Sequence, residues 1–295
     1  MTMPQFEVVA KVGCRVGESP VWDAGNQTLL WCDSRAGTIF ELDTRTNQLS
    51  RHGLPNAVGS FGLTDNGGLI IAMASGIHLY ARDSKMLSLL VDPEPGHADR
   101  FPGDRLNDSK VGPDGAFWVG SMHKSGPTAA LYRVTSDGRA EKKVDGLETS
   151  NGLAFSADGR WMFHTDSKQG WIERYDLDPL TGALSNRSRI AELSDVEGRP
   201  DGAATDAAGY YWSAGVSAGR LNKFRADGKL EARIELPLKR PTMVCFGGTD
   251  MRTLFITSIR RPDDASDLCG DVLSLRVDVP GVPVPAFKTA MAGER

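Results

Sequence analysis

Four side chains carry most of the chemistry that this sequence offers: Glu18, Asn107, Asn151 and Asp201. Each is an oxygen donor, and each stands at the same place in a recurring pattern. Glu18 and Asp201 together bring two negative charges, and Asn151 adds a neutral oxygen. Such a set neutralises one divalent cation. All-oxygen ligands favour Ca²⁺, Mg²⁺ or Mn²⁺, and carboxylates also accept Zn²⁺. Without a cation the two carboxylates would repel, and one would tend to hold its proton. Arg105 and Asn107 add a planar fork of donors and an amide that both donates and accepts. Across a channel from a cation, they suit a polyhydroxylated or carbonyl substrate. The alternative for Arg105 is a structural ion pair with Asp104 or Asp108.

The elements that must bring these residues together are six copies of one unit: a polar start, a short apolar strand, a Gly-containing turn and a second strand. The clearest copies are RLNDSKVGPDGAFWVGSM (105–122), SNGLAFSADGRWMFHTDS (150–167) and PDGAATDAAGYYWSAG (200–215). Further copies are GESPVWDAGNQTLLWCDS (17–34), FGLTDNGGLIIAMAS (61–75) and PTMVCFGGTDMRTLFITS (241–258). All-strand repeats of roughly 40–50 residues predict a β-propeller with one four-stranded sheet per blade. Rotation about the propeller axis would converge the polar start positions on a central channel. In the second and sixth copies those positions read as Phe61 and Thr242. Asn151-Gly152 and Asp201-Gly202 also match hairpin-turn dipeptides. A second turn signal follows each, at Asp158-Gly159 and Ala208-Gly209, so the first marks the start of the inner strand.

The fold class expected is all-β, a six-bladed β-propeller spanning 1–295 as one domain. The segment 6–12 reads as a strand that pairs with the last blade beside Val272–Val277, closing the ring. Blade one is expected to use strands at Ser19–Asp23, Thr28–Asp33, Thr38–Asp43 and Gln48–Gly53. Residues 92–103 are too rich in Pro and Gly for a sheet and read as a loop over the channel mouth. The tail after Val279 has three prolines and shows no pattern.

Composition narrows the function classes. Net charge is −4, which gives no footprint for nucleic acid. No apolar run is long enough for a membrane span, and the start lacks a charged segment followed by an apolar one, so a cytoplasmic protein is expected. Four cysteines, 14, 32, 245 and 269, show no C-x-x-C spacing and read as buried free thiols. Gly215-Val-Ser217-Ala-Gly219 matches a nucleophile-elbow pattern, but strands flank it on both sides, so it reads as a hairpin turn. Of the five histidines (52, 78, 97, 123 and 164), none shows an H-E-x-x-H pattern, and His123 lies next to the expected substrate loop.

The five blocks GESPVWD (17–23), 105–122, 150–167, 200–214 and 241–258, in this order, resemble the SMP-30/gluconolactonase (regucalcin) family along essentially the whole chain. The resemblance implies hydrolysis of a sugar lactone, such as gluconolactone or a pentonolactone, with one divalent metal ion. Glu18, Asn151 and Asp201 fall on the family's metal ligands, and Arg105 and Asn107 on its substrate contacts. Asp201 is also its expected general base, with a cation-bound hydroxide as the alternative. Some relatives carry an acidic pair where this chain has His123-Lys124-Ser125. His123 and Lys124 are therefore expected at the substrate, with Lys124 favouring an anionic lactone or else pointing to solvent. Two other readings remain: an aryl-ester or organophosphate hydrolase on a similar propeller, and a non-catalytic calcium-binding propeller.

Overall fold

The computed structural model describes residues 5–96, 103–264 and 266–290. Every regular element among them is a strand, and the strands form six four-stranded antiparallel sheets. The fold is a six-bladed β-propeller. Its inner strands are β2 (Gly17–Asp23), β6 (Val58–Leu63), β10 (Arg105–Val111), β14 (Ser150–Phe155), β18 (Pro200–Thr205) and β22 (Pro241–Gly247). In blade four, burial falls from a wholly buried β14 to a mostly exposed outer strand at Leu184–Glu192. That gradient follows from blades packing face to face. The core accordingly lies between blades: Leu30, Cys32 and Ile39 of blade one mesh with Phe61, Leu69 and Ile71 of blade two.

The sixth sheet recruits the beginning of the chain. β1 (Phe6–Ala10) pairs antiparallel with β24 (Val272–Arg276), and Phe6 faces Leu275. Asp271 adds a side-chain clasp, its Oδ1 accepting from the backbone N–H groups of Val12 and Gly13 at 2.9 Å each.

All six inner strands break register with their neighbour near the same end. An extra residue there bends the strand and re-aims its side chains. In two blades the residue after the break takes a left-handed backbone: Ser19 (φ 51°) follows Glu18, and Gly152 (φ 63°) follows Asn151. Such a φ is costly for serine. Ser19 offsets it through its hydroxyl, which accepts from Phe61 N–H at 3.0 Å and donates to Phe61 O at 3.3 Å.

The tail beyond Asp278 is ordered by the rest of the molecule. Phe287 is fully buried against blades two and three. The Phe287 N–H donates to Leu63 O at 2.8 Å, and Val282 N–H to Thr205 O at 2.9 Å. The tail thus crosses the ends of β6 and β18, at the side of the channel away from the register breaks.

Candidate functional site

The hairpins fix which residues are equivalent. The closing bonds are Thr64 N–H to Gly68 O in blade two and Ser156 N–H to Trp161 O in blade four. Counting back from them, Asn151 corresponds to Gly59, not to Phe61, which is two residues further along β6. Glycine is required there, because a Cβ would stand 2.4 Å from Leu106 O. Ser60 adds a bond from its hydroxyl to Asn107 O at 2.5 Å. The ring at the channel is therefore Glu18, Gly59, Asn107, Asn151, Asp201 and Thr242. Thr242 turns its hydroxyl to Gly17 O at 2.5 Å, so its oxygen ties blade six to blade one.

Glu18, Arg105, Asn107, Asn151 and Asp201 line one cavity of about 920 Å³ at this mouth. Hydrogen bonds run around its floor in one direction. Arg105 Nη1 donates to Asn107 Oδ1. Asn107 Nδ2 donates to Asn151 Oδ1 at 2.8 Å and to Ser150 O at 2.9 Å. Asn151 Nδ2 donates to Ser167 Oγ at 2.7 Å, and that hydroxyl donates to Pro200 O at 2.6 Å. The chain of donors fixes which end of the Asn151 amide faces the channel. Ser167 enters the site through this chain; a lone serine at the end of a strand gives no sequence signal. Both Asn107 protons are used in orienting Asn151 and binding Ser150. Arg105 keeps Nε and Nη2 without hydrogen-bond partners among the described residues.

The electrostatics at the floor are dominated by crowded carboxylates. Burial and the neighbouring Asp201 and Asp108 push Glu18 well above the ordinary carboxylate range, against the pull of Arg105. Burial and Asp108 push Asp201 up in the same way, with Arg199 and Arg105 pulling back. Burial also lowers the pKa of Arg105, while Glu18 raises it. Beneath them Asp108 is buried, with Lys110 as its cationic neighbour. Lys110 Nζ donates to Ala203 O at 2.6 Å.

This donor set fits a divalent cation. Two buried carboxylates, each raised first by burial and then by a neighbouring carboxylate, are stabilised when a cation shares their charge. The oriented Asn151 amide belongs to the same wall. Among the described residues no group of three or more His, Cys, Asp or Glu side chains forms a metal cluster. Glu18 and Asp201 count as two in such a group, and the third donor is an amide.

The remaining predicted residues separate. Lys124 is exposed and lines the cavity. His123 does not line it: its ring is buried, with Nε2 3.0 Å from Glu94 Oε2 and Nδ1 2.9 Å from Thr128 Oγ1. Glu94 Oε1 also accepts from Ser121 and Tyr132 hydroxyls. His123 thus fastens the start of the 92–103 segment to blade three. Residues 97–102 of that segment, His97 among them, lie outside the described residues. Ser217 sits between two strands, its hydroxyl accepting from Arg199 N–H and donating to Asp195 O, as a hairpin residue does. The four cysteines are buried and free. Burial pushes the thiols of Cys14 and Cys245 up to about 12, which leaves them unreactive.

A six-bladed propeller with a carboxylate–amide–arginine cavity at one mouth defines a class, and comparison with known proteins gives the family. Residues 16–260 match the family described as SMP-30/Gluconolactonase/LRE-like region. The chain belongs to that family. It is 40% identical over 280 residues to a 6-deoxy-6-sulfogluconolactonase of Pseudomonas putida, covering 92% of this chain and 94% of the relative. A pentonolactonase of Haloferax volcanii is 28% identical, with 95% and 97% covered. The crystal structure of regucalcin, a calcium-binding protein of Agrobacterium tumefaciens, superposes with a TM-score of 0.89 at 26% identity, covering 97% of this chain and 99% of that one.

Proposed function

We propose that this protein is a lactonase that hydrolyses a sugar lactone to the corresponding aldonic acid, using one divalent cation held by Glu18, Asn151 and Asp201. The observation that carries this reading is the single cavity in which two pKa-raised carboxylates meet an amide oriented by the chain from Arg105 to Pro200. The lactonase names of two relatives support the reaction class, and the calcium-binding neighbour supports the cation. When bound, the cation supplies Lewis-acid polarisation of the lactone carbonyl.

The protein's own groups do the rest. Arg105 presents Nε and Nη2 to the ring oxygens of the sugar and fixes which face meets water. Asn107 keeps the Asn151 oxygen turned to the channel. Asp201 accepts the proton of the water whose oxygen adds to the carbonyl carbon. Its carboxylate lines the same cavity, where Arg199 and Arg105 favour the charged form that can accept a proton. The ring C–O bond then breaks, and the same proton returns to the leaving alkoxide, giving the hydroxy acid. Four buried free thiols suit a reducing compartment, and we place the reaction in the cytoplasm.

The test is a lactone panel followed by proton release. The protein is first stripped with chelator, and Ca²⁺, Mg²⁺, Mn²⁺ and Zn²⁺ are returned one at a time. Hydrolysis that disappears with chelator and returns with one ion is expected. Full activity without metal removes the cation from the reading. Cation binding without hydrolysis of any lactone or aryl ester leaves a binding propeller instead.

A further inference from the structure

The wall of the mouth cavity is strongly cationic in a molecule whose net charge is −4. Eight Lys and Arg side chains line it, against three Asp and Glu, two of which are the floor carboxylates Glu18 and Asp201. The third, Glu235, is already 3.3 Å from Arg220. The cations come from corresponding places in the fold. Arg35, Lys124, Lys168 and Arg261 sit on the loops joining second and third strands of blades one, three, four and six. Arg199 enters from the connection into blade five. Arg35, Lys124, Lys168 and Arg261 have no ion-pair partner among the described residues, and Arg199 has only the exposed Asp195 at 3.6 Å.

Their backbones, by contrast, are held. The Lys124 N–H donates to buried Asp104 Oδ1 at 2.9 Å. The Lys168 N–H donates to Asp166 Oδ1 at 3.0 Å, and Asp166 also accepts from Glu148 and Thr149. Asp33 holds the Arg35 loop in the same manner, accepting from Arg15, Val16 and Ala36 N–H groups. Buried aspartates thus fix the roots of several unpaired cations that face one cavity. Like charges held together cost stability when nothing opposes them. An anionic ligand group removes that cost and gains charge-assisted hydrogen bonds.

We infer that the substrate lactone carries an anionic substituent, a carboxylate or sulfonate, remote from its reacting carbonyl, and that Lys124 and Lys168, with Arg35 and Arg199 beside them, select it. The inference rests on the lactonase reading above. The floor holds the carbonyl end, with its carboxylates and Arg105, and the rim holds the charged end. Steering follows as well, because a cationic mouth raises the encounter rate of anions and salt screens it.

The experiment compares three lactones on the cation-loaded full-length protein: a neutral aldonolactone, one with a terminal carboxylate and one with a terminal sulfonate. An anionic lactone is expected to have the higher kcat/KM, and only its value should fall as NaCl is raised. Lys124→Gln with Lys168→Gln should lower the anionic-to-neutral ratio by about tenfold, mainly through KM, the scale of one charge-assisted hydrogen bond. Both side chains are exposed, so an unchanged Tm verifies that the fold is intact. Whichever anionic lactone keeps the larger advantage identifies the substituent. If the wild type treats neutral and anionic lactones alike, with the same salt dependence, the inference is overturned and the lactonase reading stands. If no lactone is hydrolysed with any cation, the lactonase reading falls, and the inference falls with it.

Discussion

The two ends of the channel are built from the same six strands and have opposite character. At the mouth the strands break register, two residues adopt left-handed backbone, and the cavity of about 920 Å³ is charged. At the far end the strands are regular, and a smaller space of about 230 Å³ is walled by Val21, Phe61, Val111, Met243 and Phe246 and crossed by residues 282–286. Its charged lining residues are Lys110, tied to Ala203 O, and Asp23, paired with Arg82. One end stores unsatisfied charge, and the other buries apolar surface. The difference teaches that a repeated unit can divide its labour along the strand: the first residues for chemistry, the last for cohesion.

That division can be broken by substitution. Asp201→Asn at the mouth should lower kcat by about 10²-fold or more, the scale of losing a general base, with Tm retained. Metal content must be measured in the same sample. If kcat survives with the cation bound, Asp201 is not the base. At the far end Phe287→Ala should do the reverse. It should cost about 3–5 kcal/mol in denaturant unfolding, as a buried aromatic truncation does, and leave kcat/KM near the wild-type value. A large loss of activity in that folded variant would join the two ends functionally. Ser167→Ala removes the acceptor that holds the Asn151 amide, and cation affinity measured by calorimetry should weaken about tenfold.

The smallest effect is a pH slope. Glu18 and Asp201 have folded-state pKa values above their unfolded ones. The native state therefore binds more protons, and the stability these groups contribute is full below about pH 4 and lost as pH rises through the raised values. In metal-stripped protein, Asp201→Asn should gain Tm relative to wild type as pH increases above about 4. Adding the cation should abolish that gain. A Tm difference that stays flat with pH would mean that burial and Asp108 do not raise the pKa of Asp201.

Much of this was legible in the sequence, for identifiable reasons. Three strands of blade one, Thr28–Asp33, Thr38–Asp43 and Gln48–Gly53, fall where alternation and turn residues put them. The ring residues Glu18, Asn107, Asn151 and Asp201 were visible because each opens its unit with a polar side chain. Gly59 was not, since a glycine announces no side chain and the apolar Phe61 nearby fits the pattern better. His123 read as a mouth residue because its partner Glu94 lies in a Pro- and Gly-rich stretch without periodicity. The tail defeated reading altogether: its bonds to Leu63 and Thr205 are tertiary, and a segment that adds to no sheet has no period to display.

The pairing of β1 with β24 has a consequence in time. Val12 and Asp271 are joined by a hydrogen bond across 259 positions. Translation at about 5–20 residues per second would separate their emergence by roughly 13 to 50 s. Throughout that interval the first strand has no sheet to join, and the unclosed arc of folded blades presents an open flank at each end. Newly made chains therefore depend on being kept apart from one another until synthesis reaches the sixth blade, and slowing translation near its end should raise the yield of aggregates more than slowing it near the start.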